Sequence, residues 1–233
     1  MLLRRYLQEK CGLSRRKLFA LMQEWQVLLN DVIVTDFSVQ VVDGDIIVLS
    51  GGATRTYTVT LADDTKHLIA FHKPIGYVVS VSDPHNQTIY QLLPKEFSHY
   101  RYIGRLDKDS RGLLLLSDDL DLVHKLSHPS YASEKVYIVI VDKKISPQDI
   151  AACLKGLQDG EDLLRAVSVD VLSEMTVRIV LQEWKNRHIR RMLWALWYDV
   201  LDLCRVSQGQ YMLGDLEEGK CRVLSYTWWV ARD

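Results

Sequence analysis

At 233 residues, with 48% apolar and 25% charged side chains and only 12 Gly and 5 Pro, the chain can bury one or two cores and is not collagen-like, low-complexity or disordered. Lys and Arg number 29 against 30 Asp and Glu, a formal charge of −1, which argues against a protein that coats nucleic acid indiscriminately. No apolar stretch approaches the roughly 20 residues that cross a bilayer, and no apolar core follows the charged N-terminus, so a soluble cytoplasmic protein with no secretory signal is expected.

The first 50 residues read as a self-contained unit. Leu3, Leu7 and Cys11 share one helical face, Gly12 stops that helix, and Ser14 caps a second helix running to about Trp25. Val27 to Leu29, the Asn30-Asp31 turn, Val32 to Val34 and Val41 to Leu49 follow as short strands, with Asp43-Gly44-Asp45 as a further turn. Ser50 to Thr54 is small and flexible, with nothing to bury, and reads as a linker. The expected division is a small α+β domain over 1–52 and a larger domain over 60–233.

In the larger part, strands are expected at His67 to His72, Tyr77 to Val81, Leu113 to Leu116, Lys135 to Val141, Ala166 to Leu172, Thr176 to Gln182 and Val200 to Val206. Helices are expected at Asp119 to Leu126, Ser146 to Leu157 and Asn186 to Tyr198. Strands and helices do not alternate regularly, so the expected class is α+β with a large, mostly antiparallel mixed sheet. Cys11, Cys153, Cys204 and Cys221 are far apart with no C-x-x-C pair, which fits reduced thiols rather than disulfides or a zinc ribbon.

Charge is unevenly placed. Arg4, Arg5, Lys10, Arg15, Arg16 and Lys17 face only Glu9 in the first 20 residues, and Lys185, Arg187, Arg190 and Arg191 lie together with no acid between them. An anionic partner would meet selected faces. The stretch Gly104-Arg-Leu-Asp107-Lys-Asp-Ser-Arg-Gly112 before Leu113 to Leu116 puts an acid between bases and a buried strand. From spacing alone Asp107 is either a solvated loop acid or a carboxylate held ionised by Arg105 or Arg111. His124 and His128 have an i, i+4 metal spacing without a third ligand, and Asp118, Asp119 and Asp121 fit a helix N-terminus better than a metal cluster.

The string GRLDKDSRGLLLLSDD closely resembles the signature of pseudouridine synthases, specifically the bacterial ribosomal RNA family that joins a small N-terminal RNA-binding module to the catalytic domain. His72-Lys-Pro-Ile-Gly76, Ser127-His-Pro-Ser130, Glu134-Lys-Val-Tyr137 and Asn186-Arg-His-Ile-Arg190-Arg-Met192 resemble further elements of that family in the same order. Gly12-Leu-Ser-Arg-Arg-Lys17 resembles the alpha-L RNA-binding module. The resemblance implies the pseudouridine synthase fold and isomerisation of a uridine in ribosomal RNA, the small-subunit RNA being favoured, with ribosomal RNA or an assembly intermediate as partner and neither cofactor nor metal.

It further implies Asp107 as the essential carboxylate, Tyr137 as an aromatic that stacks on the extruded uracil and helps remove the C5 proton, and Arg190 as the partner that lowers the Asp107 pKa. Arg15, Arg16, Lys17, Lys73, Arg105, Lys135, Lys185, Arg187, His188 and Arg191 are the implied RNA contacts. Trp25, Leu120, Trp184 and Trp197 stand where relatives commonly carry Gly, Asp31 replaces a Gly, His188 a Gln and Gln210 a Pro, which places the local backbone geometry at the glycine positions in question. The alternative from another class is a noncatalytic RNA-binding or ribosome-assembly protein on the same fold. A two-carboxylate glycosidase using Asp107 and Asp109 lacks an established across-bond geometry.

Overall fold

The computed structural model describes residues 1–24, 26–36, 38–50, 54–60, 66–127, 133–183 and 185–224, the Met22 side chain apart. Two compact units divide the chain, Met1–Lys66 and His67–Asp233.

In the first unit, α1 (Leu3–Glu9) and α2 (Arg15–Gln23) accompany β1 (Val27–Leu29), β2 (Val32–Ile33), β3 (Ile46–Leu49) and β4 (Arg55–Thr58), in the sheet order β2-β1-β3-β4. Leu3 and Leu7 are buried with Leu18, Leu21, Val27 and Ile47, so the helical spacing of the apolar residues builds this core. Asn30 and Asp31 both take left-handed backbone, φ 50° and 64°, as a tight β1–β2 turn requires. Asp31 thus keeps the geometry that a glycine would adopt. Asn30 Oδ1 accepts from the Ile46 amide at 2.8 Å and Asn30 Nδ2 donates to Asp45 at 2.9 Å, tying that turn to β3.

The strand expected from Val41 starts only at Ile46, because Gly44 (φ 88°) turns the chain and the Asp45 carboxylate accepts from the Val42 amide. β4 was not anticipated. It pairs antiparallel with β3 from Ile46↔Thr58 to Leu49↔Arg55, so the first unit runs beyond the expected end at residue 52. The expected linker lies mostly outside the described residues.

The second unit holds β5 (Leu68–Lys73), β6 (Arg101–Ile103), β7 (Arg111–Ser117), β8 (Lys135–Val141), β9 (Leu157–Asp159), β10 (Asp162–Leu164), β11 (Ser168–Ser173), β12 (Thr176–Leu181), β13 (Val200–Gln208), β14 (Tyr211–Met212) and β15 (Cys221–Leu224). Its helices are α3 (Leu120–Ser127), α4 (Pro147–Lys155) and α5 (His188–Trp194). Among the described residues a nine-stranded sheet follows the path β11-β12-β8-β13-β7-β5-β15, with β14 on β13 and β6 on β7. Every pair is antiparallel except β13 with β7, the mostly antiparallel mixed sheet the sequence implies. β9 and β10 form a separate hairpin.

The apolar run on β7 is continuous because both sheet faces are covered. Leu114 and Leu116 enter one core with Ile69 and Phe71, whereas Leu113 and Leu115 enter the other with Leu68 and Ala70. Each of these leucine, isoleucine and phenylalanine side chains contributes about 1.5–3 kcal/mol of burial, which makes β5 and β7 a stiff platform for the loop between β6 and β7.

Helix ends obey local chemistry. Asp119 accepts from the Asp121 and Leu122 amides at 3.0 and 3.2 Å, and Ser146 accepts from the Asp149 amide at 3.1 Å, capping α3 and α4. α5 is shorter than the expected Asn186–Tyr198 because Arg187 (φ 49°) and Trp197 (φ 65°) are left-handed. Leu120 is ordinary helix, whereas Trp25 and Trp184 lie outside the described residues. The strand expected at Tyr77–Val81 reduces to one bridge, Val78 with Thr88.

Candidate active site

Gly112 fixes where the site forms. At φ 111°, a Cβ here would lie 2.3 Å from the Arg205 carbonyl oxygen and 2.5 Å from its nitrogen, so only glycine lets the start of β7 run against β13. That approach brings the fully buried Arg205 beneath the preceding loop. Its Nε donates to the Leu113 carbonyl at 2.7 Å and Nη1 to the Arg105 carbonyl at 3.3 Å, which links the two flanks of the segment carrying Asp107.

The loop itself is clamped from several elements. Lys73 Nζ donates to the Ser110 and Pro74 carbonyls at 2.7 and 2.9 Å, the Gly76 amide donates to the Lys108 carbonyl at 2.8 Å, and Lys108 Nζ donates to Asn86 at 2.7 Å. From α5 and its cap, Arg187 donates twice to the Asp109 carboxylate at 3.1 and 2.9 Å, and Arg190 Nη2 donates to the Asp109 carbonyl at 2.7 Å. Such support holds a reacting group in place.

Asp107 is half-buried, and its buried Oδ2 has no hydrogen-bond partner among the described residues. Burial pushes its carboxyl above the ordinary carboxylate range, and the nearby charges of Arg187, Arg190 and Arg105 only partly offset this. The sequence-based expectation has Arg190 pairing to Asp107 and lowering it; the Arg190 charge does act in that direction, but burial outweighs it. Arg190 is instead committed to Asp109, 3.2 Å from Nε to Oδ2, and to the Val200 carbonyl at 3.1 Å. Burial also works against ionised Asp109, but the Arg187 hydrogen bond and both arginine charges hold it below the ordinary range.

Tyr137 is fully buried and lies opposite Arg205 in the β8–β13 register. No ring face is open for stacking in this conformation, and burial raises the phenol pKa, so at neutral pH the hydroxyl holds its proton rather than serving as a ready base. Lys73 is fully buried on two carbonyls with its pKa brought down to about 8 by burial. It supports the loop rather than gripping RNA. His188 is likewise fully buried and pushed down to about 4 by burial, so it is a neutral core residue and no phosphate contact.

Arg191 reaches Asp159 at 2.5 Å and Asp162 at 2.8 Å, and Lys185 donates to the Leu163 carbonyl at 2.7 Å. These two tie α5 and its approach to the β9–β10 hairpin. Lys135 is half-buried, donates to the Ser133 carbonyl at 2.6 Å, and is lowered to about 8 by burial. Arg105 and Arg187 are exposed beside Asp107 and Asp109. In the first unit, Arg15, Arg16 and Lys17 are all exposed at the start of α2, where Ser14 Oγ accepts from the Lys17 amide at 3.2 Å.

Two contributors escaped the sequence reading. Arg205 sits within an apolar strand, and Asp109, which in the sequence stands out only as a second candidate acid, is the arginines' anchor. A charged residue inside the run Leu203-Cys-Arg205-Val was the available signal, since a buried charge needs dedicated partners. No group of three or more His, Cys, Asp or Glu is placed to hold a metal among the described residues, and His128 lies outside them. The site therefore presents a carboxylate of raised pKa, with one oxygen uncommitted, in a cationic setting. Such a group can attack an electrophilic carbon or exchange a proton.

Residues 67–195 match the family described as RNA pseudouridylate synthase. A dual-specificity RNA pseudouridine synthase of Salmonella typhi is 32% identical over 225 residues, spanning 96% of this chain and 75% of the relative. A ribosomal small subunit pseudouridine synthase A of Haemophilus influenzae is 29% identical over 229 residues, spanning 97% of this chain and 96% of the relative. A solved pseudouridylate synthase superposes with a TM-score of 0.66 at 29% identity, spanning 97% of this chain and 96% of that one.

Proposed function

We infer that this chain, which belongs to the RNA pseudouridylate synthase family, isomerises one specific uridine of ribosomal RNA to pseudouridine with Asp107 as the essential carboxylate. The observation that carries the reading is the buried Asp107 Oδ2 without a hydrogen-bond partner among the described residues, on a loop braced by Lys73, Arg187, Arg190 and Arg205. An unsatisfied buried carboxylate oxygen is costly to a fold, and a protein that merely docked on RNA would have no use for it.

In the reaction the ribose–N1 bond breaks, the uracil turns over and C5 bonds to the ribose carbon, while C5 gives up its proton and N1 gains one. Asp107 engages ribose or base during that exchange, and a raised pKa makes its carboxylate a better nucleophile and base once ionised. Arg187 and Arg105, exposed beside it, attract the phosphates on either side of the target. The uridine must leave its stack to reach such a site. Tyr137 is fully buried, so stacking on it requires the site to open.

The small-subunit RNA is the proposed substrate, in line with the name of the Haemophilus relative. The first unit is proposed to be an alpha-L RNA-binding module whose Arg15, Arg16 and Lys17 bind backbone phosphate. Mapping pseudouridines in ribosomal RNA from cells lacking the protein, then restored with the parent or with Asp107→Asn, tests the activity, the substrate and the role of Asp107. One small-subunit site lost on deletion and regained only with the parent is the expected result. An unchanged map, or full rescue by Asp107→Asn, would sink the assignment.

A further inference from the structure

Arg187 and Arg190, the residues that hold Asp109, also line a pocket of about 520 Å³ whose wall continues through Trp194, Tyr198 and Leu201. Trp194 is 69% exposed at the last residue of α5, and Leu201 is 63% exposed at the start of β13. Three residues beyond Trp194, Trp197 is 81% exposed and sits at φ 65°, a backbone conformation that disfavours any side chain. Single exposed apolar residues are ordinary. One exposed indole at the end of α5 and a leucine at the start of β13, sharing a pocket wall with three arginines and the single acid Asp199, form a surface with a specific chemical preference.

That preference is for a flat, apolar ring carried on an anionic chain. Indole faces stack on bases of any identity, and guanidinium groups attract the linking phosphates. The side chain of Arg187 stays 45% exposed after pairing with Asp109, so its charge still reaches solvent. We propose that this pocket is a stacking subsite for an unpaired base flanking the uridine that enters the Asp107 site. The proposal rests on the RNA-modifying reading above and deepens it by naming what the enzyme holds next to its target.

The test measures binding and needs no turnover, so it can fail while isomerisation stands, or hold while the Asp107 assignment falls. An oligoadenylate of about ten nucleotides and its abasic ribose-phosphate counterpart are titrated against the full chain. The parent is expected to bind the oligoadenylate more tightly than the abasic strand. Trp194→Ala should weaken oligoadenylate binding roughly 5- to 150-fold, the range that one lost stacking contact gives, and leave abasic binding unchanged. Trp194→Phe keeps a ring and should fall between them, which also guards against a folding defect in the alanine variant.

Trp194→Ala protein that binds oligoadenylate like the parent would overturn the proposal. So would a parent that sediments as a dimer and a monomeric Trp194→Ala with unaltered RNA affinity, because the face would then be a contact between copies.

Discussion

Tyr137 and Arg205 face each other across the antiparallel β8–β13 pair, both fully buried. Arg205 also carries the carbonyls of Leu113 and Arg105, so one guanidinium connects the Tyr137 strand to both flanks of the Asp107 loop. Its planar fork can serve two directions at once, whereas an ammonium on a flexible stem cannot reproduce that geometry. Arg205→Lys is therefore expected to cost about 1–3 kcal/mol of stability, the penalty for a buried carbonyl left without its donor. Turnover should drop at saturating RNA with little change in RNA affinity. Denaturant titration and steady-state kinetics check the two halves, and a variant with parental kcat would show that the staple is irrelevant to the loop.

Asp107→Asn should abolish pseudouridine formation, by on the order of 10⁴-fold or more, since an amide is neither nucleophile nor base. The same change should stabilise the fold at neutral pH. Asp107 has a carboxyl raised by burial, so its folded pKa exceeds its unfolded one and ionisation works against the folded state. That penalty is complete above the folded pKa and absent below the ordinary carboxylate range. The stability advantage of the asparagine variant should accordingly shrink as pH falls through the raised pKa towards 3.8. Unfolding curves that show a less stable variant at pH 7 would contradict the burial argument.

His188 gives the opposite slope. Its folded pKa of about 4 lies under the ordinary 6.5, so between those values the unfolded chain binds a proton that the folded one refuses. Stability present above pH 6.5 is lost as pH falls towards 4, by up to about 3 kcal/mol. Neither ring nitrogen has a hydrogen-bond partner among the described residues. His188→Leu should therefore fold well and flatten the loss between pH 6.5 and 4, as read by urea midpoints across that window. A variant with the parent's acid sensitivity would place the titrating group elsewhere.

These two residues also mark what the sequence could convey. Asp107 was legible because a short string names its own neighbours, and β7, β8 and β12 were legible because runs or alternations of apolar residues are local signals. His188, Lys73 and Arg191 were misjudged because charge type argues for exposure, while their burial or pairing depends on strands and acids far along the chain, Asp159 and Asp162 in the last case. The short β6, β9 and β10 have no periodicity of their own and exist through their pairing partners. Arg190 was assigned to the wrong acid for the same reason. Asp107 and Asp109 are two residues apart, and only the folded loop decides which one meets α5.

Gly112→Ala tests the close approach on which the site is built. A methyl group would intrude to 2.3 Å from the Arg205 carbonyl at a φ of 111°, so either β7 and β13 separate or the loop shifts. The expected loss is at least about 3 kcal/mol, with turnover falling in whatever fraction remains folded. Thermal unfolding alongside single-turnover kinetics reads both, and an alanine variant as stable as the parent would mean that the strand start is free to move.

The last prediction separates grip from chemistry. Arg15, Arg16 and Lys17 are exposed at the start of α2, and their side chains have no partner to give up among the described residues. If all three bind backbone phosphates of the RNA, replacing them together by glutamine removes up to about three counterion-releasing contacts, and the dependence of log K on log salt should become shallower by about 2–3 units. Salt titration of binding measures this directly. With RNA saturating, the rate should stay near the parent's, because the lost interactions hold ground state and transition state alike and Asp107 with its bracing arginines is untouched. An unchanged slope would mean that these three charges are merely solvated. A collapsed saturating rate would mean that the first unit organises the Asp107 site rather than only delivering RNA to it.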